Sequence, residues 1–287
     1  MQYVKAADAA DAVRHLAGAG GQGFVLAGGT DLLVQMKSRR VSPEIIVDIK
    51  NLPGAMEIRE EGGGYRIGAG VPGALLGEDP GFVAAWPGVA EAAQLIGSTQ
   101  IQGRATMVGN LCNASPAADS VPALMAAEAQ AVIEGPEGQR TVPVADIPTG
   151  PGKTSLKAGE FVSALLLPAR PKLASDAYLR FIPRTEMDIV VAAAGVNLVL
   201  DGDGTVAEAR VALGAVAATA YLDEAAGARL VGTKIEDDVL AELAALCGKS
   251  CSPIDDKRGT VAYRREVVGV LAKRAARIAY QRAKEKA

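Results

Sequence analysis

The chain has 287 residues, 49% of them hydrophobic, and carries 30 Lys and Arg against 33 Asp and Glu for a formal net charge of −3. That length implies about two domains, and the slightly acidic balance excludes nucleic acid as the main partner. No apolar run approaches the roughly 18 residues that span a bilayer, and Met1-Gln2-Tyr3-Val4-Lys5 lacks the apolar core of a signal peptide, so no membrane span and a cytoplasmic location are expected.

Aromatic residues make up only 4%, so Ala, Val, Leu and Ile must fill the core. Ala7 to Ala19 reads as a helix with Val13, Leu16 and Ala17 on one side. Phe24 to Ala27 reads as a buried strand, Asp31 to Lys37 as helical, and Ile45 to Ile49 as a second strand, which together make a small β-α-β unit. Met56–Ile58 and Tyr65–Gly70 predict a hairpin around Glu61-Gly62-Gly63-Gly64. Val89–Ile96 and Val121–Ala127 read as helices. Ala131–Glu134 and Arg140–Val142 form a further hairpin, and Phe161–Leu167 is a strand ending at Pro168. Ala169 to Ser175, with Pro168 just before it and Pro171 within it, is the expected linker. Strands follow at Tyr178–Ile182, Val190–Leu200 and Val206–Ala215. Helices follow at Glu236–Cys247 and Tyr263–Lys284, the last capped upstream by Asp255-Asp256 and amphipathic around Val267, Val270, Leu271 and Ile278. This order defines an α+β protein.

The chain has three cysteines and one histidine. Cys112, Cys247 and Cys251 are too few for an iron–sulfur cluster that needs four thiolates. Cys247 and Cys251 read as a reduced thiol pair on one helix side. His15 reads as a partly exposed helix residue, and a single histidine excludes Ser-His-Asp and multi-His metal mechanisms.

Two segments carry the functional information. One is Leu26-Ala27-Gly28-Gly29-Thr30-Asp31-Leu32-Leu33; the other runs from Ala105-Thr106-Met107-Val108-Gly109-Asn110-Leu111-Cys112 through Asn113-Ala114-Ser115-Pro116-Ala117-Ala118-Asp119. Glycine permits close backbone approach and φ > 0, and successive amide N–H groups in such turns make concave anion sites. Taken singly, either loop also reads as a structural turn or a helix cap. Two such loops after apolar stretches predict one large anionic cofactor held from two sides.

These segments, with Arg184–Ile189 and Arg258-Gly259-Thr260-Val261-Ala262-Tyr263-Arg264-Arg265, resemble the flavin subunit of the molybdenum hydroxylases. That family includes the medium subunit of aerobic carbon monoxide dehydrogenase and the FAD domain of xanthine dehydrogenase. The resemblance covers nearly the whole chain. It implies a two-lobed FAD-binding domain of the vanillyl-alcohol-oxidase (PCMH) type over residues 1–170, with lobes of about 1–52 and 53–170. A small α+β C-terminal domain over 175–287 follows.

The resemblance also assigns roles. Leu26, Ala27, Gly28, Gly29, Thr30, Asp31 and Leu32 would wrap the FAD pyrophosphate, with Thr106, Gly109 and Asn110 holding it from the other lobe, and Ala105, Cys112 and Ala118 would also belong to the cofactor site. Asp119 would accept from ribityl or ribose hydroxyls, and Ile96 would lie against the adenine. Phe161 and Val162 would offer backbone contacts to the ring. Arg180 would stabilise anionic reduced flavin, and Ile189 would cover a flavin face. Val108 stands where the family commonly has glycine, which predicts altered phosphate contact. The implied partners are a large molybdenum-cofactor subunit and a small subunit with two 2Fe-2S clusters, as a dimer of heterotrimers. Electrons would pass through those clusters to FAD and on to an external acceptor. Two alternatives stand beside this: a free-standing FAD-dependent oxidoreductase, and a non-enzymatic nucleotide-binding regulatory or maturation protein.

Overall fold

A computed structural model describes residues 1–287. In the first lobe, β1 (Gln2–Lys5), α1 (Ala9–Gly18), β2 (Gly23–Leu26), α2 (Leu32–Lys37) and β3 (Ile45–Asp48) form a parallel sheet of order β1-β3-β2. β3 lies in the middle and all four of its residues are buried. α1 begins where the Asp8 carboxylate caps Asp11 N–H at 2.8 Å, two residues later than expected. β1 escaped the sequence reading because its residues are largely exposed and show no apolar alternation.

The second lobe contains β4 (Ile58–Glu61), β5 (Gly64–Gly68), α3 (Gly73–Glu78), α4 (Pro80–Ala85), α5 (Pro87–Gln94), α6 (Thr99–Gln102), α7 (Met107–Cys112) and α8 (Ser120–Ala126). It continues with β6 (Gln130–Gly135), β7 (Gly138–Pro143), β8 (Pro148–Gly150), β9 (Lys153–Thr154) and β10 (Phe161–Leu167). Its main sheet is antiparallel in the order β4-β5-β10-β6-β7, with β8 and β9 paired apart. The β4–β5 turn needs φ of 61° and 80° at Gly62 and Gly63, which is the primed turn that suits the twist of a hairpin.

The last part is β11 (Ala174–Phe181), β12 (Ala192–Leu200), β13 (Val206–Gly214), β14 (Tyr221–Leu222), α9 (Glu224–Leu230), α10 (Asp237–Ser250) and α11 (Val261–Lys284). Its antiparallel sheet runs β11-β12-β13-β14. The sheet is covered on both faces. Ala192, Ala194, Val196 and Leu198 join the core built by α10 and α11, while Ala193 joins the core of the second lobe. α8 sits close on that second face because a Cβ at Gly195 would lie 2.8 Å from the Pro122 carbonyl oxygen, and one at Gly214 2.6 Å from Pro122 Cγ. The scarcity of aromatics shows in α11, where Ala272, Ala275, Ala276, Ala279 and Ala283 are wholly buried.

Two expectations need correction. The supposed linker Ala169–Ser175 already enters β11 at Ala174, and Ala174 through Tyr178 are all buried. Covered on both faces, that strand shows no polar alternation to mark its start. The N-cap of α11 is Thr260, whose hydroxyl accepts from Tyr263 N–H at 3.2 Å. Asp256 instead pairs with buried Arg264 at 2.8 Å, and Asp255 accepts from Val261 N–H at 2.5 Å.

Candidate functional site

The first glycine loop leaves the C-terminal end of β2, where open parallel sheets characteristically bind ligands. Only glycine fits at position 28: a Cβ there would stand 2.0 Å from the Arg104 carbonyl oxygen, so the two loops meet backbone to backbone. Gly29 adopts φ of 76°, the left-handed region that favours glycine. As a result, the N–H groups of Gly28, Gly29, Thr30, Asp31 and Leu32 donate to no acceptor within the protein. Five consecutive free donors make an anion-binding concavity.

The second loop is anchored independently. Gly73 N–H donates to the Ala105 carbonyl at 2.9 Å. Thr106 caps α7, its hydroxyl oxygen accepting from Gly109 N–H at 2.9 Å. Asn110 Oδ1 accepts from Ser120 N–H at 3.0 Å and from the Ser120 hydroxyl at 2.8 Å. The Thr106 O–H and the Asn110 amide nitrogen donate to nothing in the protein and stand free on the cavity wall.

Between the loops lies a cavity of about 560 Å³, within the ~300–1,000 Å³ of cofactor sites. It brings together Ala27, Gly28, Gly29, Thr30, Asp31, Leu32, Ile96, Ala105, Thr106, Gly109, Asn110, Cys112, Phe161 and Val162. It also takes in residues given no cofactor role from the sequence, among them Phe24, Val41, Ile49, Leu156, and the pair Gln35 and Asn113. Gln35 Nε2 donates to Asn113 Oδ1 at 2.9 Å, tying α2 to the end of α7. Neither side chain announces itself in sequence, because the bond joins positions 78 apart. Val108 is buried in the same wall, its side chain accommodated within α7.

No Lys or Arg lines the cavity; its acidic residues are Asp31 and Glu160. Glu160 is occupied by Arg140 at 2.8 Å, and that hydrogen bond lowers its pKa against the opposing effect of burial. Asp31 is solvent-exposed but closely surrounded by the loop, and desolvation raises its carboxyl above the ordinary range. Burial pushes the Cys112 thiol up to about 12, so it stays protonated. An anion here is held by backbone N–H, hydroxyl and amide donors, and the free donor set fits a dinucleotide diphosphate.

Five expected site residues lie outside this lining. Leu26 ends β2 behind the loop, and Ala118 is buried beneath it. Asp119 pairs with Arg180 at 2.7 Å, both nearly inaccessible, with the Tyr178 hydroxyl donating at 3.3 Å. Burial raises the Asp119 carboxyl to about 6, with Arg180 and Tyr178 pulling the other way. Ile189 is half exposed, in a loop held by the Arg184–Asp188 pair at 3.0 Å and by Thr99 N–H donating to Glu186 at 3.3 Å.

Comparison with known proteins agrees with this geometry. Residues 1–170 match the FAD binding domain in molybdopterin dehydrogenase, and residues 177–279 match the CO dehydrogenase flavoprotein C-terminal domain. The carbon monoxide dehydrogenase medium chain of Afipia carboxidovorans is 37% identical over 287 residues, covering 99% of this chain and 98% of that one. A xanthine dehydrogenase FAD-binding subunit of Escherichia coli is 36% identical over 219 residues, 76% of this chain and 74% of that one. Among solved structures, reconstituted CO dehydrogenase from Oligotropha carboxidovorans superposes with a TM-score of 0.94 at 33% identity, covering 98% of each chain. The chain belongs to the FAD-binding family of the molybdopterin dehydrogenases. Within it, this is a medium, flavin-binding subunit of an oxidoreductase of the molybdenum hydroxylase type.

Proposed function

We propose that this chain is an electron-transfer subunit. It takes electrons from the 2Fe-2S clusters of a small partner subunit and delivers them to an external acceptor. A large molybdenum-cofactor subunit completes the assembly, arranged as a dimer of heterotrimers in the cytoplasm. FAD, when bound, supplies the reversible uptake and release of electrons. The chain's own residues bind and orient it. Gly28 to Leu32 present free N–H groups to the diphosphate. Thr106 and Asn110 donate from the opposite loop, and Ile96, Phe161 and Val162 offer an apolar wall. Arg180, paired with Asp119 outside the cavity lining, is the cation that the family resemblance sets near the flavin. Residues 1–170 form the FAD-binding unit in this reading, and 175–287 the C-terminal one. The observation that carries it is the row of five free N–H donors opposite Thr106 and Asn110 across one cavity.

The test is the visible spectrum of the purified chain and of its native complex. The expected result is a flavin spectrum that persists in the isolated chain and bleaches only in the complex, on addition of the complex's substrate. A chain without flavin after reconstitution with FAD would overturn the reading.

A further inference from the structure

Against the backbone of the first glycine loop, and outside the cavity lining, lies a polar cluster that the site described above does not use. Asp48, the last residue of the central strand β3, is 5% exposed and sits in register with Leu26, just before the loop. Its Oδ2 accepts from the Tyr3 hydroxyl at 2.5 Å, and its Oδ1 from Lys50 N–H at 3.0 Å and Lys50 Nζ at 2.7 Å. Burial alone would raise this carboxyl, but hydrogen bonds from Lys50 and Tyr3 outweigh it and keep Asp48 below its usual range. With both oxygens fixed, the carboxylate cannot rotate, and the Lys50 ammonium is directed at one further acceptor, the Ala27 carbonyl at 3.3 Å.

That contact orients a peptide. In a trans peptide the C=O and N–H point in opposite directions. A carbonyl turned back onto Lys50, which is not part of the cavity wall, therefore turns the Gly28 N–H away from Lys50, toward the side that Ala27 and Gly28 line. Without Lys50 the Ala27–Gly28 peptide has no side-chain partner. Gly28, lacking a Cβ, then has the freedom to rotate its N–H off the cavity. The same ammonium touches the backbone of a cradle whose wall holds no cation of its own.

We infer that Lys50, braced by Asp48 and Tyr3, is a positioning residue that sets the Ala27–Gly28 peptide for the diphosphate. This rests on the flavin reading above. It makes a prediction that a merely structural lysine would not: the effect follows the diphosphate and spares the isoalloxazine half of the ligand.

The experiment measures binding of FAD, ADP and riboflavin to the full chain, as wild type, Lys50→Met and Lys50→Arg, with circular dichroism as the check on folding. Lys50→Met is expected to weaken FAD and ADP about tenfold, as suits loss of one charge-assisted contact. It should leave riboflavin unchanged, and Lys50→Arg should recover most of the loss. Should Lys50→Met fail to fold, Lys50→Gln, polar but uncharged and one bond shorter, is read the same way. Equal losses for all three ligands, or none for FAD and ADP, would overturn the inference while leaving the flavin reading intact. A wild-type chain that binds neither FAD nor ADP would overturn both.

Discussion

At Gly28 the two loops touch so closely that any side chain collides with backbone: the added Cβ would be 2.0 Å from the Arg104 oxygen. Gly28→Ala is therefore expected to destabilise the chain by about 1–3 kcal/mol, the usual cost of overpacking, and to abolish FAD binding by separating the loops. Urea denaturation and FAD titration measure the two effects. Asp119 gives a prediction of different kind. Its folded value of about 6 lies above the ordinary 3.8 because burial disfavours the carboxylate. The folded chain thus holds this proton more tightly than the unfolded one. The stability this gives is complete below the ordinary value and is lost as pH rises through about 6. The gap corresponds to at most about 3 kcal/mol. Denaturation of ligand-free wild type should show this decline, and the Asp119→Asn variant, which cannot titrate, should show a flatter profile over the same interval. The glycine loops were legible in sequence because their chemistry is local: glycine, a capping threonine and small residues act where they stand. The Gln35–Asn113 bond and the Lys50–Ala27 contact were not, since each joins segments that only the fold brings together.

Among the elements, α11 holds the third sheet, and its start depends on Thr260. Replacing the cap by alanine, Thr260→Ala, is expected to cost about 1 kcal/mol and to lower Tm by about 2–4 °C for a chain of this size, measurable by calorimetry. Sequence reading placed this helix within two residues at its start but chose Asp255-Asp256 as its cap. Asp255 does accept from the first helical N–H, that of Val261, but nothing local reveals that Asp256 is taken by Arg264, whose guanidinium also donates to the Val191 carbonyl at 2.6 Å. β12 was found because Val190–Val196 is an unbroken run of apolar residues and glycine, and β10 because Ser163 alone interrupts Phe161–Leu167. The helices α6 and α7 were missed. With four and six residues they complete no apolar stripe, and it is Thr106 and the loop packing that make α7 helical.

Across the whole molecule, one buried guanidinium joins the second lobe to the last sheet. Arg170 lies 3.9 Å over the Trp86 ring, donates to the Ala85 carbonyl, pairs with Asp176 at 2.8 Å and reaches Asn197 at 2.7 Å. Arg170→Ala strands the Asp176 carboxylate in a site 3% exposed, and a loss of about 3–5 kcal/mol is expected, read from the denaturant midpoint. The order of lobes was legible from the alternation of strand and helix patterns. The junction was not, because Pro168, Pro171 and the basic Arg170 and Lys172 look like a tether, whereas here Arg170 is a buried cross-link. The same junction is closed by the far end of α11: Arg282 binds Glu91 and the Asp176 carbonyl, and Lys286 donates to the Ala174 carbonyl at 2.9 Å. Arg282 lies 191 positions beyond Glu91. On the ribosome, chains grow and fold from the N-terminus. The cradle's last wall residue, Val162, is thus made long before the clasp that joins the second lobe to the last sheet. The face of the second lobe that meets α11 is therefore completed last, by residues at the very end of synthesis.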